Sequence, residues 1–351
     1  MIISRTPLRL VLFGGGTDLP RWTRAHGGAV LGATIDKFCY VSCRRMPPLF
    51  THRLRVVWSQ TENCQHASEV RHPVVREVLR HLGIEHGVAI HHDGDLPARS
   101  GMGAGSAFTV GLLHALQGLR GRMTSARSLA EEAREIQVSR LGEFVGAADD
   151  TLVAHGGLTV VTCAPDGEIG RRPLTIPRAR LRALNDHLML FFVGPRRREL
   201  EVAQAWAEAA GRAAPELKSV RALVDEAVGV LDGGDDLARF GRLLADDWRL
   251  RRALVPAATT PEIDAAYERA CGAGAVGGSL LGPGGGGFLL LFVPPAARAR
   301  VRAMLQPLTH VPFELERAGT RIIHADPETE TVDESPAEVD PLAGRRRPEG
   351  F

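Results

Sequence analysis

The stretch Asp95-Leu-Pro-Ala-Arg-Ser-Gly-Met-Gly-Ala-Gly-Ser-Ala-Phe-Thr-Val-Gly-Leu-Leu-His-Ala-Leu116 decides the reading of the chain. A strand-like run, Gly87 to His92, leads into it. Gly101, Gly103 and Gly105 alternate through a tight loop. From Ser106 onward, Phe108, Val110, Leu112, Leu113 and Leu116 recur at the spacing of a buried helix. A glycine-rich loop that opens a helix is an anion site, because its backbone can approach oxygens closely and free N–H groups and the helix dipole face the negative charge. A nucleotide phosphate is the natural guest. A dinucleotide fingerprint would follow the first strand of a βαβ unit with an acid about 20 residues on, and a Walker loop would end Gly-Lys-Ser/Thr; neither pattern is present. The plain structural alternative is a tight turn capping a core helix.

Working outward, the 351 residues suffice for two domains and a sizeable core, and a net charge of +2 gives no reason to expect nucleic acid or an anionic membrane. No apolar run approaches the roughly 20 residues of a membrane span, and Met1-Ile-Ile-Ser-Arg-Thr is not a signal peptide. The five cysteines are scattered without a CxxC pair, which reads as reduced core residues in a cytoplasmic protein.

Toward the N-terminus, strand-like runs at Ile2–Arg5 and Leu8–Phe13 precede Gly14-Gly-Gly-Thr-Asp18. Three glycines before a Thr-Asp pair suit a backbone that approaches a polar ligand, or a plain hairpin turn. Ala29–Ile35, Phe38–Cys43 and Leu54–Ser59 read as further strands, and His72–Leu82 and Ser128–Leu141 as helices, the second with Ser125 or Thr124 as cap. Toward the C-terminus, Gly142-Glu-Phe-Val-Gly-Ala-Ala-Asp-Asp150 places Asp149 and Asp150 before an apolar segment, Thr151–Thr162. Either acid suits proton abstraction, and helix capping is the alternative. Leu188–Val193 reads as a strand followed by Arg196-Arg-Arg198, which would be a solvated face or a bidentate clamp on a distal phosphate. Helices follow at Val220–Leu231, Leu237–Leu254 and Pro261–Ala270. Gly284–Gly287 then opens strand Phe288–Val293. Each such glycine costs on the order of 1 kcal/mol against Ala in ordered structure, a cost usually met at a ligand-approach loop. Helix Ala297–Leu305 and strand Val311–Glu316 close the second domain.

Three glycine-rich loops in this order resemble the GHMP kinase superfamily over roughly residues 2 to 325, and most nearly its heptose-phosphate kinase branch. The stretches that carry the resemblance are Arg5-Thr-Pro-Leu-Arg-Leu with Gly14-Gly-Gly-Thr-Asp18, His26-Gly-Gly-Ala-Val-Leu with Ile35-Asp-Lys37, Leu96-Pro-Ala-Arg-Ser-Gly, Phe108-Thr-Val-Gly-Leu-Leu-His-Ala-Leu116, Gly142-Glu-x-Val-Gly-x-x-Asp149 and Gly277-Gly-x-Leu-Leu-Gly-x-Gly-Gly-Gly-Gly-Phe288. It implies an α+β fold: a domain like the second domain of ribosomal protein S5 over residues 1–180 and a ferredoxin-like domain over 181–325, before a disordered acidic tail at 326–351.

The resemblance implies an ATP-dependent, magnesium-assisted kinase that phosphorylates the 1-hydroxyl of a heptose 7-phosphate or similar sugar phosphate, working as a monomer or homodimer. Asp149 would take the proton from the hydroxyl, with Arg9 beside it stabilising the transferring phosphate. Pro97, Arg99, Ser100, Gly101, Gly103, Ala104, Gly105 and Ser106 would bind the nucleotide. Gly14, Gly15, Gly16, Thr17, Asp18, Arg196, Gly285 and Gly286 would meet the sugar. Three positions depart from the pattern. Gly105 stands where a serine ligates magnesium, Gln137 where a helix glutamate does, and Ser279 where lysine is common. Ser106 and Glu143 are the substitutes for the metal. The second reading is a degenerate kinase that binds nucleotide or sugar phosphate without transfer.

Overall fold

The structure is a computed structural model that describes residues 1–195, 199–212, 215–234 and 236–326. Its first lobe is built on a nine-stranded sheet. Strand β1 (Ile2–Phe13) pairs antiparallel along nearly its whole length with the long β2 (Gly28–Arg45), and helix α1 (Pro20–His26) fills the connection. The two runs read on either side of Pro7 are thus one strand. Proline cannot donate to a ladder, and the register shifts between Pro7 and Leu8. Beyond β2 come β3 (Leu54–Val57), β4 (Thr61–Cys64), α2 (Pro73–Leu82, capped by His72) and β5 (Val88–Gly94), which joins β2 to β3. Helix α3 (Ala104–Leu119) follows the glycine loop, buried along most of its length. It has no polar face because it is enclosed between the sheet and neighbouring helices.

Helix α4 (Ala126–Arg134) is capped by Ser125, whose hydroxyl accepts from the Ser128 N–H, and it continues as a π-helical turn, Glu135–Arg140. The single helix expected over 128–141 therefore changes pitch, and Gln137 is completely buried within the widened turn. The apolar segment after Asp150 divides into the end of α5 (Ala147–His155) and strand β6 (Thr159–Cys163), which pairs with β2 and β7 (Ile169–Pro173).

Helix α6 (Arg178–His187) leads to β8 (Leu188–Gly194) in the second lobe. Four helices follow: α7 (Glu199–Gly211), α8 (Pro215–Asp232), α9 (Ala238–Leu254) and α10 (Pro261–Gly272). Strands β9 (Gly277–Leu280) and β10 (Gly287–Phe292), helix α11 (Arg298–Met304) and β11 (Thr309–Val311) complete a second sheet in the order β11-β8-β10-β9. That antiparallel order with helical crossovers is the ferredoxin-like arrangement, and the whole is α+β.

The end of the chain differs from the sequence expectation. Val311–Glu316 is not one strand: β11 ends at Val311 in the second sheet, and β12 (Leu315–Glu316) pairs with β2 in the first. Strand β13 (Arg321–Ala325) then pairs with β1, so the last part of the segment assigned to 181–325 completes the first lobe's sheet. The tail beyond residue 326 lies outside the described residues. The lobes share one apolar core, in which Phe13 of β1 meets Phe240 of α9 edge-on at 5.0 Å. Among the described residues no helix is long and apolar enough to cross a membrane.

Candidate active site

Arg9 occupies a buried position of β1, and its backbone N–H donates to Met102 O at 3.0 Å, pinning the glycine loop to the strand. Its guanidinium faces the first turn of α5. There Nε donates to Asp149 Oδ1 at 2.8 Å and Nη2 to Asp149 Oδ2 at 2.7 Å, a two-pronged charge-assisted pair. Nη1 donates to Gly101 O at 2.7 Å. One arginine thus joins the carboxylate to the glycine loop. The acid lies near the N-terminus of α5, where the helix dipole favours negative charge.

Asp18 caps the same helix: Ala148 N–H donates to its Oδ2 at 3.2 Å and Ala147 N–H to its backbone O at 3.2 Å. Burial, and then the neighbouring Asp149 charge, push Asp18 up to about 6, against the Ala148 N–H and Arg9. Arg9, Asp149 and Asp18 line a cleft of about 540 Å³, open to solvent, together with Gly15, Gly16, Trp206, Arg251, Gly282 and Pro283.

The glycine loop runs along one side of this pair. Ser100 Oγ donates to Pro97 O at 2.7 Å, and Arg99 takes a left-handed φ of 57°. Gly103 is the N-cap of α3 and offers no side-chain cap. The N–H groups of Ala104, Gly105 and Ser106 are in the helix's first turn, where intrahelical acceptors are lacking, so they remain available to an anion.

Ser106 and Glu143, the proposed metal residues, meet through Gln137. Ser106 Oγ donates to Gln137 Oε1 at 3.5 Å, and Gln137 Nε2 donates to Glu143 Oε2 at 3.3 Å. Asp150 lies against the same group, buried, with neither carboxylate oxygen in hydrogen-bond geometry to any donor. Burial pushes it up to about 7, partly opposed by the nearby Ser106 hydroxyl. Hydroxyl and carboxylate oxygens suit magnesium, which needs only one or two protein carboxylates when a nucleotide supplies the others. Among the described residues no cluster of three or more His, Cys, Asp or Glu forms a dedicated metal cage.

Not every residue expected at the sugar reaches the cleft. Thr17 is completely buried and its hydroxyl donates to Gly14 O at 2.8 Å and Ala29 O at 2.9 Å, so it closes the turn instead of facing a ligand. Gly14 likewise backs onto Ala29, whose carbonyl lies 2.1 Å from where a Cβ would stand, and Gly15 and Gly16 form the wall. In the third loop Gly282 and Pro283 line the cleft; Gly285 instead donates its N–H to Ala258 O at 2.9 Å, and neither it nor Gly286 is in the cleft wall. Arg196 lies outside the described residues. The sequence reading missed Trp206, which donates Nε1–H to Pro283 O at 2.8 Å, and Arg251, one arginine among several in Trp248-Arg-Leu-Arg-Arg252. The only local signal for Arg251 is its place one helical turn after Asp247.

A two-lobed fold thus places an arginine-held carboxylate between two glycine loops. Residues 69–157 match the GHMP kinases N terminal domain and residues 222–307 the GHMP kinases C terminal. The chain belongs to the GHMP kinase family. It is 23% identical over 315 residues to the D-glycero-alpha-D-manno-heptose 7-phosphate kinase of Campylobacter jejuni subsp. jejuni serotype O:2, covering 85% of this chain and 91% of the relative. Its fold is similar to a D-glycero-D-manno-heptose 1-phosphate kinase from Bacteriodes thetaiotaomicron, with a TM-score of 0.72 and 22% identity over 93% of this chain and 100% of that one. It is also similar to Streptococcus pneumoniae phosphomevalonate kinase in complex with phosphomevalonate and AMPPNP, with a TM-score of 0.70 and 12% identity over 92% and 100% of the two chains.

Proposed function

We propose that this protein transfers the γ-phosphoryl group of ATP to the 1-hydroxyl of a heptose 7-phosphate or a closely similar higher sugar phosphate. The observation that carries the reading is the Arg9–Asp149 pair on the cleft wall, tied by the same guanidinium to Gly101 of the phosphate loop. Phosphoryl transfer asks the protein mostly for positioning and charge neutralisation. Asp149 accepts the hydroxyl proton, Arg9 offsets charge on the reacting oxygens, and the opening turn of α3 holds the nucleotide phosphates. Ser106, with Glu143 and Asp150, would hold magnesium, which supplies charge neutralisation at the phosphates. Asp18, Gly15 and Gly16 orient the acceptor.

The names of the Campylobacter and Bacteriodes relatives both specify a heptose phosphate and support the acceptor class. The AMPPNP in the phosphomevalonate kinase complex supports the donor. The five free cysteines, four of them buried, support a cytoplasmic setting. The neutral Gln137 between Ser106 and Glu143, beside a glycine at 105, favours a second reading in which nucleotide and sugar phosphate bind without transfer. A phosphate-transfer assay with ATP over a panel of heptose and octose phosphates and their dephosphorylated sugars, across a magnesium series, tests both. Transfer to a heptose 7-phosphate supports the first reading. ATP binding with no transfer to any sugar at high magnesium supports the second.

A further inference from the structure

The cleft has a second cation that the transfer chemistry does not use. Arg251 of α9 is 4% exposed and forms part of the cleft wall beside Gly15. Its Nη1 donates to Ser279 Oγ at 3.0 Å and Leu280 O at 3.2 Å, and its Nη2 to Gly282 O at 2.5 Å. Its Nε–H is buried and meets no acceptor. Asp247, one turn earlier, pairs with it loosely, its nearest oxygen 3.8 Å from Nη1. Burial disfavours the guanidinium's charge, and Asp247 offsets that only in part. A buried cation with an unused donor is costly unless an anion completes it.

The surroundings show from which side that anion would come. A Cβ on Gly15 would stand 3.9 Å from Arg251 Cζ and 4.0 Å from Nε, so the glycine leaves that edge of the guanidinium without a side chain over it. Trp206, whose ring centroid is 5.6 Å from Cζ, borders the same part of the cleft. The other cation of the wall, Arg9, has Nε, Nη1 and Nη2 all engaged with Asp149 and Gly101.

We infer that Arg251 reads the distal phosphate of the acceptor, making this enzyme selective for phosphorylated sugars. The inference rests on the sugar-phosphate kinase reading above and names the residue behind it. With its reacting hydroxyl at Asp149, the acceptor spans the cleft from the first lobe to the second. Its phosphate monoester meets the guanidinium at the cleft wall and completes the charge that Asp247 offsets only in part. Planar, fixed donors suit a phosphate better than the point charge of lysine does.

The test compares binding, without turnover, of D-glycero-D-manno-heptose 7-phosphate, the free heptose, inorganic phosphate and MgATP by calorimetry and Trp206 fluorescence. Arg251→Lys keeps a cation to hold the end of β9 but has no Nε–H. Arg251→Met with Asp247→Leu removes the buried ion pair as a unit, leaving no lone charge behind. Each should weaken the heptose 7-phosphate by about 10- to 100-fold, the size of a lost charge-assisted hydrogen bond, and the free heptose and MgATP by no more than about twofold. Either variant, if folded, decides the question. Equal weakening of both sugars makes Arg251 a structural brace, and weakening confined to MgATP places it on the donor; both overturn the inference. If the native enzyme prefers heptose 7-phosphate but only an Arg196/Arg197/Arg198 variant loses that preference, the inference fails and the reading beneath it stands. If the native enzyme phosphorylates an unphosphorylated acceptor and ignores heptose 7-phosphate, both fail.

Discussion

Asp149→Asn separates the proposed proton acceptor from the scaffold around it. The side chain keeps its shape, and its remaining carbonyl still accepts one of the two Arg9 donors, at 2.8 Å from Nε. The other contact, at 2.7 Å from Nη2, becomes a meeting of two donors. Removing one partner from a buried ion pair usually destabilises by about 3–5 kcal/mol. Here the acid side is 15% exposed and one hydrogen bond survives, so about 2 kcal/mol is expected, roughly a thirtyfold shift in the folding equilibrium. Turnover should fall by more, about 10²–10⁴-fold, because the amide cannot take the hydroxyl proton. Stability is read by urea unfolding, turnover by ADP release with heptose 7-phosphate, and MgATP affinity by calorimetry, where little change is expected. Adding Arg9→Met should return part of the lost stability, since the cation is no longer buried without its partner, and none of the activity. An active Asp149→Asn enzyme beside an inactive Asp150→Asn enzyme would refute the assignment of the base. So would a loss of MgATP affinity as large as the loss of turnover.

Three other outcomes are expected. Gly103→Ala forces a left-handed φ of 71° on a side chain and places its Cβ 2.8 Å from Arg9 Cγ, so it should destabilise by about 1–3 kcal/mol and lower kcat with Arg9 displaced; unchanged kcat and melting temperature would contradict this. Asp150, pushed up to about 7 in the fold from 3.8, binds its proton more tightly folded than unfolded, so its contribution to stability falls as pH rises from about 4 through 7; Asp150→Asn should therefore raise the metal-free melting temperature more at pH 8 than at pH 5, and an equal gain at both would remove the argument. Gly105→Ser with Gln137→Glu should lower the magnesium needed for half-maximal rate, since a Cβ at 105 would stand 3.5 Å from Gln137 Nε2 in ordinary contact; a magnesium curve unmoved by the pair would show that the ion binds elsewhere.

Local chemistry decided how much of this was legible. The run from Phe108 to Leu116 is a buried helix because apolar residues recur at its pitch, and Ser125 caps the next because its hydroxyl reaches the Ser128 N–H. Both are short-range facts. The pairing of Arg9 with Asp149 spans 140 residues and entered only through resemblance to a family. Thr17 is ambiguous in sequence, because a hydroxyl beside a glycine turn serves a ligand or the turn equally well; the approach of Ala29 O turns it to the backbone. Arg251 has one faint local signal, Asp247 a helical turn before it, and its meaning comes from being buried while Arg249 is exposed on the same helix. The return of β12 and β13 to the first sheet was invisible because pairing with β1 and β2 is a tertiary choice that short strands do not encode.

The two arginines of the cleft also explain how the lobes hold a common geometry. The first-lobe loop and the second-lobe loop touch backbone to backbone: a Cβ at Gly101 would stand 2.5 Å from Leu281 O, and one at Gly282 would stand 2.6 Å from Gly101 Cα. Such an approach excludes every residue with a side chain at those positions. Each of the touching segments is then held from its own lobe, Gly101 O by Arg9 Nη1 and Gly282 O by Arg251 Nη2. The same guanidiniums line the cleft, Arg9 against Asp149 and Arg251 beside Gly15. Distances between the phosphate loop, Asp149 and the far wall are therefore set by main-chain contact and two short side-chain braces instead of by flexible loops. That rigidity is what an in-line transfer requires, because a displacement of about 1 Å between donor and acceptor can cost on the order of 10²-fold in rate.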